Sequence, residues 1–160
     1  MGNRKLYIDF SATKEFPECD YNFKLAVRRA VLCTLEYEDF DKDAEVSITL
    51  CDNEYIRKLN KEYRNKDKAT DVLSFPLYDF NEEDDSVFEL EDSIALGDIV
   101  ISLERAKEQA KEVGNTFIKE VAFLTIHSTL HLLGYDHERS EEDDEAQCTS
   151  QRDIIKMLDI

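Results

Sequence analysis

The apolar residues change their period along this chain, and the order of those changes restricts the fold more than any other feature. Residues 5–10 (KLYIDF) alternate as a strand does, and residues 44–51 alternate more strongly through Val46, Ile48 and Leu50. Between them, residues 21–37 carry Phe23, Leu25, Ala26, Ala30, Val31 and Leu35 near the i, i+3, i+4, i+7 spacing of a helix. Asp52 or Asn53 can cap a further helix that runs to Arg64, with Ile56, Leu59 and Tyr63 on one face. Residues 72–77 form a short strand whose Pro76 cannot donate to a ladder, which assigns it to a sheet edge or end. Residues 95–102 (ALGDIVIS) form another strand, and residues 103–113 a helix stopped by Gly114. Asn115 can cap a long helix over residues 116–133, with Gly134 as its C-terminal stop. A last helix spans about residues 140–157. The order β-α-β-α-β-β-α-α-α predicts an α+β domain, an α/β-type mixed sheet of about four strands packed with about five helices, in a single unit over residues 1–160.

The chemistry concentrates in one place. All three histidines of the 160 residues lie in HSTLHLLGYDH, at His127, His131 and His137. His127 and His131 are four apart on a predicted helix, so both imidazoles project from one face about one turn apart. Gly134 can take the left-handed conformation that turns the chain off the helix and returns His137 as a third ligand. Three imidazoles leave the fourth tetrahedral position of Zn²⁺ open for water, as a catalytic site requires. Imidazole also suits Ni²⁺, Cu and Fe, and the spacing leaves these open. The pattern is similar to the H-E-x-x-H-x-x-G-x-x-H arrangement of metzincin proteases, except that Ser128 stands where they carry the glutamate base. A serine hydroxyl accepts no proton near pH 7, so the peptide-hydrolysis mechanism lacks its base.

Charge narrows the substrate. The 20 basic and 37 acidic residues give −17, which excludes a generally basic nucleic-acid coat. The excess is local: residues 79–92 hold eight acids and no base, residues 138–145 six acids and one Arg, and about −4 remains elsewhere. Against this, residues 57–68 (RKLNKEYRNKDK) hold six bases and two acids. No apolar run approaches the roughly 20 residues of a membrane-spanning helix. The first ten residues hold no signal-peptide core, and the four cysteines form no Cys-x-x-Cys pair, so reduced thiols in the cytoplasm are expected.

HSTLHLLGYDH, together with NKEYRNKDKATDVLSFP (residues 60–76) and LGDIVIS (residues 96–102), resembles the YbeY family of bacterial rRNA maturation factors. The three motifs follow in the right order over residues 60–137, while the flanking segments match in layout only. The resemblance implies a single metal-dependent hydrolase domain, a single-strand-specific endoribonuclease acting in rRNA processing and ribosome quality control. It implies His127, His131 and His137 as metal ligands and Arg64 as an essential basic residue of the active-site cleft. Its partners would be single-stranded rRNA, the ribosome or small ribosomal subunit, and assembly proteins. The family commonly has Gly where this chain has Ser128, a change that leaves ligation untouched.

From the residues upward, Arg64 can fork onto the equatorial oxygens of a phosphate as their charge grows. Its alternative is a solvated arginine complementing the helix dipole. Lys61, Lys66 and Lys68 with Arg64 can form a positive track for substrate, the acidic runs standing away from it and repelling duplex. Asp71, Asp98 and Asp136 are candidates for proton carriage or for holding a ligand imidazole, and equally for turns or caps. Ser74 and Phe75 can line the cleft, with packing the stronger role for Phe75. For RNA, both direct attack by an activated water and attack by the 2′-OH are open. The competing readings are a metallopeptidase using the same zinc beside the 72–77 edge, and a ribosome-binding factor with a structural metal.

Overall fold

Strand β1 (Leu6–Ala12) leads through helix α1 (Tyr21–Tyr37) to β2 (Asp43–Cys51), and the helical crossover makes the two strands parallel, with Ile8 opposite Val46 and Phe10 opposite Ile48. Helix α2 (Asn53–Arg64) and strand β3 (Val72–Pro76) follow, then β4 (Ser93–Ser102) and three helices: α3 (Leu103–Val113), α4 (Phe117–Leu132) and α5 (Glu141–Leu158). This is the architecture of a computed structural model that describes residues 5–78, 80, 92–135 and 140–160. The sheet order is β1-β2-β4-β3, with β4 parallel to β2 and β3 antiparallel to β4 at the edge. Among the described residues, five helices and a four-stranded mixed sheet form the α+β arrangement that the periodicities predict.

Alternation decides which face of the sheet is buried. Leu6 of β1, Ala44, Val46, Ile48 and Leu50 of β2, and Ile99 and Ile101 of β4 pack beneath Phe23, Val27, Val31 and Leu35 of α1 and Val121, Leu124 and Leu132 of α4. Fully burying a side chain of this size contributes roughly 1.5–3 kcal/mol, so this layer dominates stability. The opposite face stays exposed at Tyr7, Asp9 and Glu45. Near β3 it is covered by α2, where Ile56 packs with Cys51, Leu73 and Val100. Helix α5 seals the outer side of α4 through Ile154 and Leu158 against Ala30, Ala122, Ile126 and Leu130. Helix α4 is thus enclosed on most sides, which accounts for its nearly continuous apolar composition.

The caps show where local rules compete. The Asp52 carboxylate accepts from the Tyr55 N–H at 2.9 Å and is the α2 cap. Asn53 has another duty, its Oδ1 accepting from Ser102 Oγ at 2.7 Å. The cap of α4 is Thr116, accepting from the Lys119 N–H at 3.1 Å, and not Asn115 as the sequence suggests. Asn115 N instead donates to Ala110 O at 2.9 Å, closing α3 behind Gly114, so it is spent on the preceding helix. Strand β4 begins at Ser93, two residues earlier than its periodicity shows. All four cysteines are free thiols. Among the described residues no helix is long and apolar enough to cross a membrane.

Candidate functional site

Helix α4 ends in a Schellman closure one residue beyond His131. Gly134, at φ 108°, donates to His131 O at 3.0 Å, and Tyr135 N donates to Leu130 O at 3.1 Å. That reversal folds the Tyr135 carbonyl back onto the ring just passed, where it accepts from His131 Nδ1 at 2.8 Å. A carbonyl only accepts, so the His131 proton sits on Nδ1 and the Nε2 lone pair faces away from the turn. His127 is held the same way from a different element: its Nδ1 lies 2.6 Å from Gln151 Oε1 on α5. With both protons on Nδ1, the two Nε2 atoms turn their lone pairs to a contact of 3.2 Å.

Two acceptors at that distance repel unless a cation lies between them. Imidazole nitrogens about 2.0–2.1 Å from a tetrahedral zinc stand about 3.3 Å apart, close to the separation of this pair. The donor chemistry also suits nickel or copper. His137 and Asp136 lie outside the described residues. Among the described residues no group of three His, Cys, Asp or Glu converges. Ser128, next to His127, is fully buried with its hydroxyl lacking a hydrogen-bond partner among the described residues. No proton acceptor therefore stands where a metzincin would place its glutamate.

The histidines open onto a cleft of about 860 Å³ between the end of α2, the β3 edge and the end of α4; Tyr63, Arg64, Ser74, Tyr78, His127 and His131 line it. Arg64 is the last residue of α2 and is exposed. The chain turns there through Asn65 at φ 56°, and the following loop is pinned back by Asn60 Nδ2 on Lys68 O at 2.9 Å and by an Arg57–Asp67 ion pair at 2.8 Å. Arg64 and the two described histidines, 63 or more residues apart in sequence, thus share one cavity. Lys61, Lys66 and Lys68 are exposed on α2 and its loop but are not among the residues lining the cavity.

The β3 register sorts the remaining candidates. Ser74 pairs with Ile99 on the face toward α4, whereas Phe75 pairs with Asp98 on the α2 face and meets the Tyr63 ring edge-on at 5.3 Å. Asp98 is therefore exposed on the far face of the sheet from His127 and His131 and holds neither of those rings. Asp71 lines the cleft, but its carboxylate is engaged by the Val72 N–H at 2.7 Å and Gln109 Nε2 at 3.2 Å, as a strand-opening turn. Two turns before His127, Glu120 is buried on α4, and desolvation, then the charge of Asp71, pushes its carboxyl above the ordinary range. Tyr78 and Phe80 line the cleft, Asp79 lies outside the described residues, and residues 141–145 of the second acidic run open α5, which packs on α4. The rest of the first run, residues 81–91, lies outside the described residues.

Sequence reading missed the glutamines. Gln147 and Gln151 are buried on α5, and Gln147 Nε2 lies 3.2 Å from His127 Nδ1 and 3.4 Å from His127 O. Their signal was present: Gln147, Gln151, Ile154 and Leu158 follow i, i+4, i+7, i+11, placing two amides on the buried stripe of the last helix.

A family model described as endoribonuclease YbeY matches residues 9–159. The endoribonuclease YbeY of Caldanaerobacter subterraneus is 58% identical over 119 residues, covering 72% of this chain and 75% of that protein. That of Bacillus cereus is 40% identical over 151 residues, covering 94% and 95%. Among solved structures, a Thermotoga maritima protein determined in solution matches with a TM-score of 0.60 and 26% identity, over 94% of this chain and 88% of that one.

Proposed function

This chain belongs to the endoribonuclease YbeY family, and from that premise we propose that it is a zinc-dependent, single-strand-specific endoribonuclease acting in rRNA maturation and ribosome quality control. The family makes it a hydrolase of RNA phosphodiester bonds. The observation that carries the metal reading is the pair of Nε2 atoms 3.2 Å apart, each ring tied through Nδ1, in the same cavity as Arg64. His127, His131 and His137 would hold the ion, zinc or another divalent transition metal such as Ni²⁺. When bound there, the metal supplies Lewis-acid polarisation of a phosphoryl oxygen and lowers the pKa of water toward roughly 7.

The chain's own residues do the rest. Arg64 forks its guanidinium onto the non-bridging oxygens of the scissile phosphate and offsets the charge that grows there. Tyr63, 63% exposed at the cleft mouth, offers a ring face to an unpaired base. Such stacking contributes roughly 1–3 kcal/mol per base and is available only to single strands, whose bases can be splayed out. The exposed Lys61, Lys66 and Lys68 extend the positive surface beyond the cavity wall and draw the flanking phosphates past the acidic segments. The physiological partners on this reading are rRNA within the small ribosomal subunit and its assembly proteins, in the cytoplasm. A peptidase role has less support, because Ser128 is buried where that chemistry needs a base.

The test is cleavage of a labelled single-stranded rRNA fragment by metal-verified protein, beside folded His131→Ala and Arg64→Ala variants. Turnover should vanish with chelator and with His131→Ala, and kcat should fall about 10²–10³-fold with Arg64→Ala, the usual loss of one transition-state donor. Equal cleavage by all three proteins would refute the assignment.

A further inference from the structure

The last helix supplies part of the metal site although it carries none of the three histidines. Gln151 Oε1 stands 2.6 Å from His127 Nδ1, a distance that requires a proton on that nitrogen, since Oε1 only accepts. Without this contact the neutral ring can place its proton on either nitrogen, and the Nε2–H tautomer cannot bind a metal through Nε2. Gln147 stands on the other side, its Nε2 3.2 Å from the same Nδ1 and 3.4 Å from the His127 carbonyl, while its own Oε1 is buried and without a hydrogen-bond partner among the described residues. With the Nδ1 proton directed at Gln151, the Gln147 amide is left to donate to the His127 carbonyl and packs against the same ring edge. Both side chains are more than nine-tenths buried, Gln147 at 1% and Gln151 at 6% exposure, so water does not compete for the ring.

The helix that carries them is anchored independently. Ile154 and Leu158 enter the α1–α4 core, Arg29 Nη2 donates to Leu158 O at 3.1 Å, and Tyr37 OH donates to Asp153 at 2.9 Å. Resting on the metal reading above, we infer that Gln151, braced by Gln147, is a positioning residue that fixes the Nδ1–H tautomer of His127 and aims its Nε2 at the metal. The partner is a neutral amide rather than a carboxylate. It orients the ring without adding negative charge to the site, which keeps the full cationic field of the ion for the phosphate.

Zinc affinity, measured on the full chain by competition with a chromophoric chelator, tests this without any turnover assay. Gln151→Met keeps the volume and removes the acceptor. It should weaken zinc binding about 10–100-fold, the usual loss when a ligand's outer hydrogen bond is removed, while the melting temperature of the metal-free protein stays within a few degrees of the parent. Gln151→Glu restores an acceptor at the same place and should bind zinc at least as tightly as the parent. Zinc affinity within twofold of the parent in Gln151→Met overturns the inference and leaves the metal site standing, provided His131→Ala loses zinc in the same assay. If Gln151→Met does not fold, weakened binding in the folded Gln151→Glu protein overturns it instead. No zinc binding by the parent chain removes the metal reading itself, and the inference with it.

Discussion

Gly97→Ala reports on how closely the cleft wall is built. Gly97 lies on β4 opposite Pro76, with φ at +146°. A Cβ there would stand 2.3 Å from the Phe75 carbonyl oxygen, 2.9 Å from Leu132 Cδ2 and 3.0 Å from Pro76 Cα. The leucine end can swing aside, but Phe75 and Pro76 are backbone of β3, so the edge strand must leave β4 or the sheet must buckle. Overpacking of this kind costs about 1–3 kcal/mol. A side chain forced into such a backbone region costs about 1–3 kcal/mol more. A combined loss of about 3 kcal/mol lowers the melting temperature by roughly 6–12 °C in a chain of this length. Gly114→Ala separates the two contributions: its φ is +75° but nothing lies within 4 Å of its Cβ, so only the backbone cost remains. That cost is about 1–2 kcal/mol, or roughly 2–8 °C. Both variants are read by far-UV circular dichroism on heating and by urea midpoint. RNA cleavage by Gly97→Ala should also fall, because β3 forms one wall of the cleft and Leu132 follows His131. A Gly97→Ala protein that melts within 1–2 °C of the parent, or no lower than Gly114→Ala, would show that β3 and α4 do not approach β4 as described.

Neutralising Lys61, Lys66 and Lys68 together to Gln should weaken single-stranded RNA binding and reduce the salt slope of log K by about 2, at roughly 0.7 per phosphate contact, while kcat at saturation holds; an unchanged affinity and slope would remove these lysines from the substrate track. Glu120→Gln should raise stability at pH 7. The folded carboxyl holds its proton more tightly than the unfolded one, so unfolding free energy falls as pH rises from the ordinary glutamate range through the raised folded pKa, and the neutral amide abolishes that fall. Urea midpoints at pH 4 and pH 7 decide it, and a lower midpoint at pH 7 for the variant would contradict the buried-carboxyl argument. Burial pushes the Cys51 thiol up to about 12, so iodoacetamide at pH 8 should leave it unmodified in the folded protein, whereas labelling at the rate of a denatured control would mean that the end of β2 opens freely.

What the sequence by itself determined was local. Each element was legible because its period, its cap and its stop lie within one run of residues: the apolar stripe of α1, the alternation of β2, Asp52 before α2, Gly134 after α4. The pairing of His127 with His131 was legible for the same reason, since four residues on a helix bring two side chains together whatever surrounds them. The exceptions are positions where two elements claim one residue, as at Asn115, which closes α3 instead of capping α4. The tertiary structure decided everything that depends on residues meeting across the chain. The order β1-β2-β4-β3 follows from hydrogen bonds between strands far apart in sequence, and that order placed Asp98 on the wrong face for the site and Ser74 on the right one. Packing likewise brought Arg64 from the end of α2 into the cavity of the α4 histidines and Gln151 from α5 onto His127. A side chain's residue type states what chemistry it can perform, but its partners are fixed by which buried surfaces fit together, and that is a property of the whole core.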